Sequence, residues 1–173
     1  MDTAGTIWTI GHSTRSLQEF LALLADNDIE ALADVRRYPG SRRHPHFNAE
    51  TLARALKEAG IEYEPFPELG GRRKPRPDSP HTQWRNVAFR AYADYMDTPE
   101  FHAGIERLAA LAREKRTAVM CSEAVWWRCH RRLIADGFRA RSVRVLHILD
   151  AKHVVEHPRD AAPQAPNGEL DYG

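Results

Sequence analysis

Cysteine is scarce in this chain, with two among 173 residues. Two cysteines cannot staple a fold, so a disulfide scaffold is excluded, and in a reducing compartment both are expected as thiols. Long apolar runs are also missing. None approaches the roughly 18 residues of a membrane span, so no membrane partner is expected. The opening MDTAGTIWTI lacks a basic segment leading into an apolar one, which argues against a secretory signal and for a cytoplasmic location. Net charge is close to nil, +1 at pH 7, which excludes a globally basic nucleic-acid binder. No internal repeat and no linker marks a domain boundary.

What remains is an ordinary composition, 42% hydrophobic and 28% charged, at the size of one globular domain. TIWTI (6–10) reads as a buried strand, and Ser16 with Glu19 forms a capping box for a helix running to about Leu24. ALADV (31–35) is a second strand. Asn48 is expected to cap a helix through Ala59 that Gly60 stops, and IEYEPF is a weaker third strand. Residues 67–86 read as a long irregular loop, the kind that is usually a functional lid or disorder. A helix is expected near Val87. Another starts at Thr98-Pro99, with Phe101, Ile105, Leu108 and Leu111 inside. TAVMC (117–121) is a strand, RCHRRLIAD opens a helix ended by Gly137, and SVRVLHIL (142–149) is the last strand. Residues 1–157 then form one domain, and 158–173 a flexible tail.

Strands alternating with helices imply βαβ units. The fold class is α/β: a single three-layer, Rossmann-like domain with a mostly parallel sheet and helices on both faces. Ligands of such sheets bind beyond the carboxyl ends of the strands. The unusual segments all follow strands: GHS, RRYPGSRRHPHF, PELGGRRKPR and SEAVWWRCHRR. A parallel sheet therefore brings both cysteines, His12, Asp34 and three of four arginine clusters to one rim.

TIGHS, LADVRRYPGSRRHPHFN, ELGG, YADYM and CSEAVWWRCHRRLIAD occur in that order between about Ile7 and Ile148. Together they resemble the bacterial family called domain of unknown function 488. The family's Cys-x-Glu and Cys-His-Arg elements fall on Cys121, Glu123, Cys129, His130 and Arg131. Its loop commonly has proline before the tryptophan, where this chain has Val125, so a less rigid loop is expected. The resemblance implies positions and a fold, and no reaction.

Cys129 is expected in the first turn of a helix, among Arg128, His130, Arg131 and Arg132, and each of these surroundings favours thiolate. It is the candidate nucleophile. Cys121, ending a strand, is its possible partner or simply core, and Glu123 a general base or an orienting carboxylate. His130 or His12 is the acid–base group. Arg36, Arg42, Arg43, Arg128 and Arg131 suit a phosphate, with Asp34 holding His12 or an arginine in place. Of Trp126 and Trp127, one is expected to pack in the core. The other, Trp127, is available to stack on a base. The leading reading is a thiol-dependent transferase or hydrolase acting on a phosphate-bearing small molecule or nucleic acid, without an organic cofactor. Two alternatives stay open. One is a metal site on Cys121, Cys129, His130 and His12, although Cys-x7-Cys-His is not a recognised finger spacing. The other is a nucleic-acid-binding module without chemistry. Sequence sets no oligomeric state.

Overall fold

The computed structural model describes residues 5–37, 40, 43–71, 73–74, 76–81 and 86–158. The β-branched and apolar runs become strands of one sheet: β1 (Thr6–Gly11), β2 (Ala31–Asp34), β3 (Glu62–Pro65), β4 (Thr117–Cys121), β5 (Arg144–Ile148) and β6 (Val154–Glu156). Their order is β3-β2-β4-β1-β5-β6. The first five pair in parallel, and β6 lies antiparallel to β5. β6 was not expected. Its residues are all exposed, so it lacks the buried pattern that identifies a strand in sequence.

Among the described residues, five α-helices cover the sheet: α1 (Leu17–Asp26), α2 (Ala49–Glu58), α3 (Val87–Tyr95), α4 (Pro99–Glu114) and α5 (Arg131–Ala140). Alternation along the strands divides the core in two. Trp8, Ile10, Leu32, Ala118, Met120 and Ile148 pack with α1 and α2. Ile7, Ala33, Val119, Cys121 and Val145 face the other way, against α3, α4 and α5. The domain is therefore three-layered. The capping box at Ser16 and Glu19 is present, as is the Thr98 cap ahead of Pro99.

Two expectations about α5 are corrected. Gly137 does not end it. The helix continues to Ala140, and Ser142 in the left-handed region (φ 63°) closes it. Val143 N–H then bonds to Phe138 O and Ser142 N–H to Arg139 O, a Schellman arrangement with serine where glycine usually sits. Its start also lies later than expected, at Arg131, with His130 at the cap position. Cys129 therefore precedes the helix.

The described part of the 67–86 loop is tied to α3. Asp94 accepts from Arg76 N–H at 2.8 Å and from the Ser79 hydroxyl at 2.6 Å, and His81 meets Asp97 at 2.9 Å. Among the described residues, no helix is long and apolar enough to cross a membrane. The proposed tail falls outside them beyond Pro158, while His157, at the proposed boundary, is buried.

Candidate functional site

Beyond the carboxyl ends of β1, β2 and β4 lies a cavity of about 550 Å³. Its wall includes seven of the residues singled out in the sequence: His12, Arg36, Cys121, Glu123, Arg128, Cys129 and His130. They come from three separate segments, and the parallel sheet brings them together as its topology requires.

The two sulfurs stand 2.6 Å apart, and both cysteines are free and buried. Cys121 is fixed by the strand, in register with Gly11. Cys129 is held by the start of α5, whose Arg131 N–H points at its sulfur from 3.5 Å. The thiol thus meets the helix N-terminus from just outside it. Burial opposes ionisation of Cys129. The Cys121 thiol, the Arg131 guanidinium and the Arg131 N–H together outweigh it, and the net shift is downward. Cys121 moves the other way, raised well above an ordinary thiol by burial and by its bond to Cys129. As two thiols the pair bonds from Cys129 to Cys121; once Cys129 ionises, Cys121 becomes the donor.

His130 lies beside the sulfur, with Nδ1 3.3 Å from Cys129 Sγ. Its Nε2 is 2.9 Å from Val35 O. A carbonyl only accepts, so Nε2 must carry the proton and Nδ1 must present its lone pair to the thiol. Burial lowers the His130 pKa, which keeps the free ring neutral. Gly71 makes room for this ring, since a Cβ there would lie 3.3 Å from Nδ1. Tyr92 packs against it at 5.2 Å between ring centres and donates to Leu69 O.

His12 is similarly fixed. Its Nδ1 donates to Ser13 O at 2.9 Å, and its ring stacks on Phe47 at 4.4 Å. Burial drives its pKa down to about 4, so it is a neutral ring at neutral pH. Asp34 does not touch His12. It holds Arg36 bidentately, with Nε at 2.9 Å and Nη2 at 2.8 Å, and accepts from the Tyr63 hydroxyl at 2.6 Å. A guanidinium has five N–H donors, so three of those on Arg36 are not used by the carboxylate. Burial, then the adjacent carboxylate, raises the Tyr63 phenol above its usual range.

Arg131 is placed differently from expectation. It is 1% exposed, and Nη2 reaches Glu123 O at 2.8 Å and Ala124 O at 3.4 Å, while Nη1 reaches Thr9 Oγ1 at 3.1 Å. The side chain therefore holds the 122–124 loop down from beneath and does not line the cavity. Behind it runs a buried chain. Thr9 Oγ1 meets His147 Nδ1 at 2.5 Å, His147 Nε2 meets His157 Nδ1 at 2.9 Å, and His157 Nε2 meets Asp136 Oδ1 at 2.7 Å. With a guanidinium at one end and a carboxylate at the other, every proton has one consistent direction, from Arg131 towards Asp136. Trp126 lies flat on His147, 4.5 Å between centres and 6° from parallel. Trp127 is 45% exposed and lies away from the cavity wall. Arg43 is described but does not line the cavity, and Arg42 lies outside the described residues.

Sequence reasoning missed Gly11. A Cβ there would fall 1.7 Å from Glu123 O, so the cysteine loop crosses directly over this glycine. The GHS and ELGG stretches carried that signal as glycines at strand and loop ends. Thr9, His147 and Asp136 had no such signal, being single polar residues within apolar segments, and His157 lies in the polar EHPRD stretch. Among the described residues, no group of three or more His, Cys, Asp or Glu side chains converges as metal ligands would. The zinc or iron reading on Cys121, Cys129, His130 and His12 therefore has no built site there. Both imidazoles have one nitrogen committed to a backbone carbonyl.

Fold and site together define an α/β domain whose parallel sheet opens at its strand ends onto a cavity lined by thiols, imidazoles and arginines. The family model described as Domain of unknown function DUF488 matches residues 16–138, well over half of the chain, and the protein belongs to that family. No curated protein and no solved structure matches it.

Proposed function

We propose that the protein is a cysteine-dependent enzyme acting on an anionic, phosphate-bearing substrate, a nucleotide or a nucleic-acid strand, as a thiol-based transferase or hydrolase. The observation that carries this reading is the fixed tautomer of His130, whose lone pair faces the Cys129 sulfur while Val35 O holds the opposite N–H. Cys129 is the nucleophile, and His130 takes its proton as general base. His12, neutral and on the same wall, is the second proton-transfer group. Arg36 and Arg128 bind the anion, with Asp34 positioning Arg36. A cavity of about 550 Å³ suits a ligand of nucleotide size.

The test is the rate of Cys129 alkylation by iodoacetamide as a function of pH, with and without nucleoside monophosphates. The expected result is a midpoint below the free-cysteine value of about 8.5 and protection by the nucleotide. A midpoint at the free value with no protection refutes the reading. A second reading, a nucleic-acid-binding module without chemistry, draws on exposed Trp127 beside exposed Arg128. It requires salt-sensitive binding of single strands that survives Cys129→Ser and fails in Trp127→Ala.

A further inference from the structure

We infer that Cys121 and Cys129 form a working dithiol–disulfide couple, in which Cys129 is oxidised by a small hydroperoxide and Cys121 resolves the product. The inference rests on the same nucleophilic Cys129 and adds a partner and an oxidant class to it.

Three observations converge. A disulfide bond is roughly 2.05 Å long, so sulfurs 2.6 Å apart are about half an ångström from bonded geometry. Both cysteines line the cavity although Cys129 is only 7% exposed and Cys121 1%; access favours a small oxidant. Cys129, the more exposed of the two, also faces the His130 base. The two thiols therefore differ in the sense a couple needs, one to attack and one to resolve.

The steps balance. Cys129 gives its proton to His130 Nδ1, and its thiolate attacks the terminal oxygen of the hydroperoxide. An S–O bond forms and the O–O bond breaks. The departing alkoxide takes the proton from His130 and leaves as alcohol, or as water when hydrogen peroxide is used. Cys129 is now a sulfenic acid. The Cys121 sulfur attacks Cys129 Sγ, the S–S bond forms and the S–O bond breaks. Hydroxide leaves and takes the Cys121 proton, forming water. The dithiol has lost two electrons and the peroxide has gained them; an external dithiol reverses the change.

The experiment treats the reduced full-length protein with one equivalent of hydrogen peroxide, then counts thiols and maps peptides by mass spectrometry. In the wild type, titratable thiols should fall from two to none, with one peptide pair linked through Cys121 and Cys129 and restored by dithiothreitol. Cys121→Ser, which keeps a hydroxyl donor beside Cys129, should instead carry Cys129 on to the sulfinic acid under excess peroxide. If the wild type reaches sulfinic acid as readily as Cys121→Ser, or retains both thiols, the couple is overturned. The alkylation midpoint of Cys129 in Cys121→Ser separates the two proposals. A low midpoint in that variant with no disulfide in the oxidised wild type sinks the couple and leaves the proposed function standing; a wild-type disulfide with an unshifted midpoint and no nucleotide protection sinks the proposed function and leaves the couple.

Discussion

Replacing Gly11 with alanine tests whether the cysteine loop is held as tightly as its contacts require. The added Cβ would lie 1.7 Å from Glu123 O and 2.6 Å from its carbonyl carbon. A carbon–oxygen contact settles at roughly 3.3 Å, so the loop must rise by about 1.5 Å. Glu123 O is also the acceptor for Arg131 Nη2 at 2.8 Å, and a displacement of that size takes the pair beyond hydrogen-bonding range. Losing a charge-assisted bond costs about 1.5–3 kcal/mol and overpacking a further 1–3 kcal/mol or so, giving about 2.5–6 kcal/mol in all. Gly11 has an ordinary negative φ, since Gly60 is the one glycine with positive φ among the described residues. The effect therefore comes from the contact and not from backbone strain. Urea unfolding monitored by tryptophan fluorescence reads the stability, and Cys129 alkylation reads the site. A loss below about 1 kcal/mol with an unchanged alkylation profile would refute the packing argument.

Asp34→Asn should destabilise by about 3–5 kcal/mol, because it leaves the Arg36 charge buried without its carboxylate; a thermal melt unchanged from wild type would contradict this. His12 titrates near pH 6.5 in the unfolded chain but at about 4 when folded. Below 6.5 the unfolded state binds more protons, so stability is complete above 6.5 and falls with pH until about 4. The loss from this group is about 3 kcal/mol. His12→Gln should flatten part of that slope in denaturant titrations between pH 7 and 4, with the remainder arising from His130 and His147, whose pKa values are also lowered. Asp136→Asn removes the carboxylate that ends the buried chain from Arg131. It should destabilise the fold and slow Cys129 alkylation at neutral pH, and an alkylation profile equal to wild type would show that the chain does not reach the sulfur.

The rim was legible in the sequence because two independent signals agreed. Strand–helix alternation dictated a parallel sheet, and the segments rich in cysteine, histidine and arginine all followed strands. Periodicity also gave the buried face of α4, since Phe101, Ile105, Leu108 and Leu111 are all core. What failed depended on contacts distant in sequence. Arg131 looked like an anion ligand because it adjoins Cys129-His130, yet its direction is set by Thr9, 122 positions away. Gly137 looked like a stop because glycine often is one, but the hydrogen bonds that close α5 select Ser142. Thr9 and His147 stand on the sheet face that α5 covers, two polar residues in strands otherwise apolar on that side. Only the fold shows that they bond to each other and to α5.

That buried chain bears on how Cys129 can be charged at all. Among the described residues, two cations and two anions lie buried around it: Arg36 paired with Asp34, and Arg131 joined through Thr9, His147 and His157 to Asp136. Their formal charges cancel. A thiolate added alone would leave one uncompensated negative charge in a poorly solvated site, which is costly. Passing the proton 3.3 Å to His130 Nδ1 instead creates an ion pair and leaves the net charge unchanged. The arrangement therefore favours local proton transfer over release to solvent. It also assigns the arginines distinct work. Arg131, held by two carbonyls and a hydroxyl, would steady a Cys129 thiolate from beneath, whereas Arg36 has donors beyond those Asp34 takes and lines the open wall. An incoming phosphate would meet Arg36 and exposed Arg128, and its charge would be balanced without drawing Arg131 away from the sulfur.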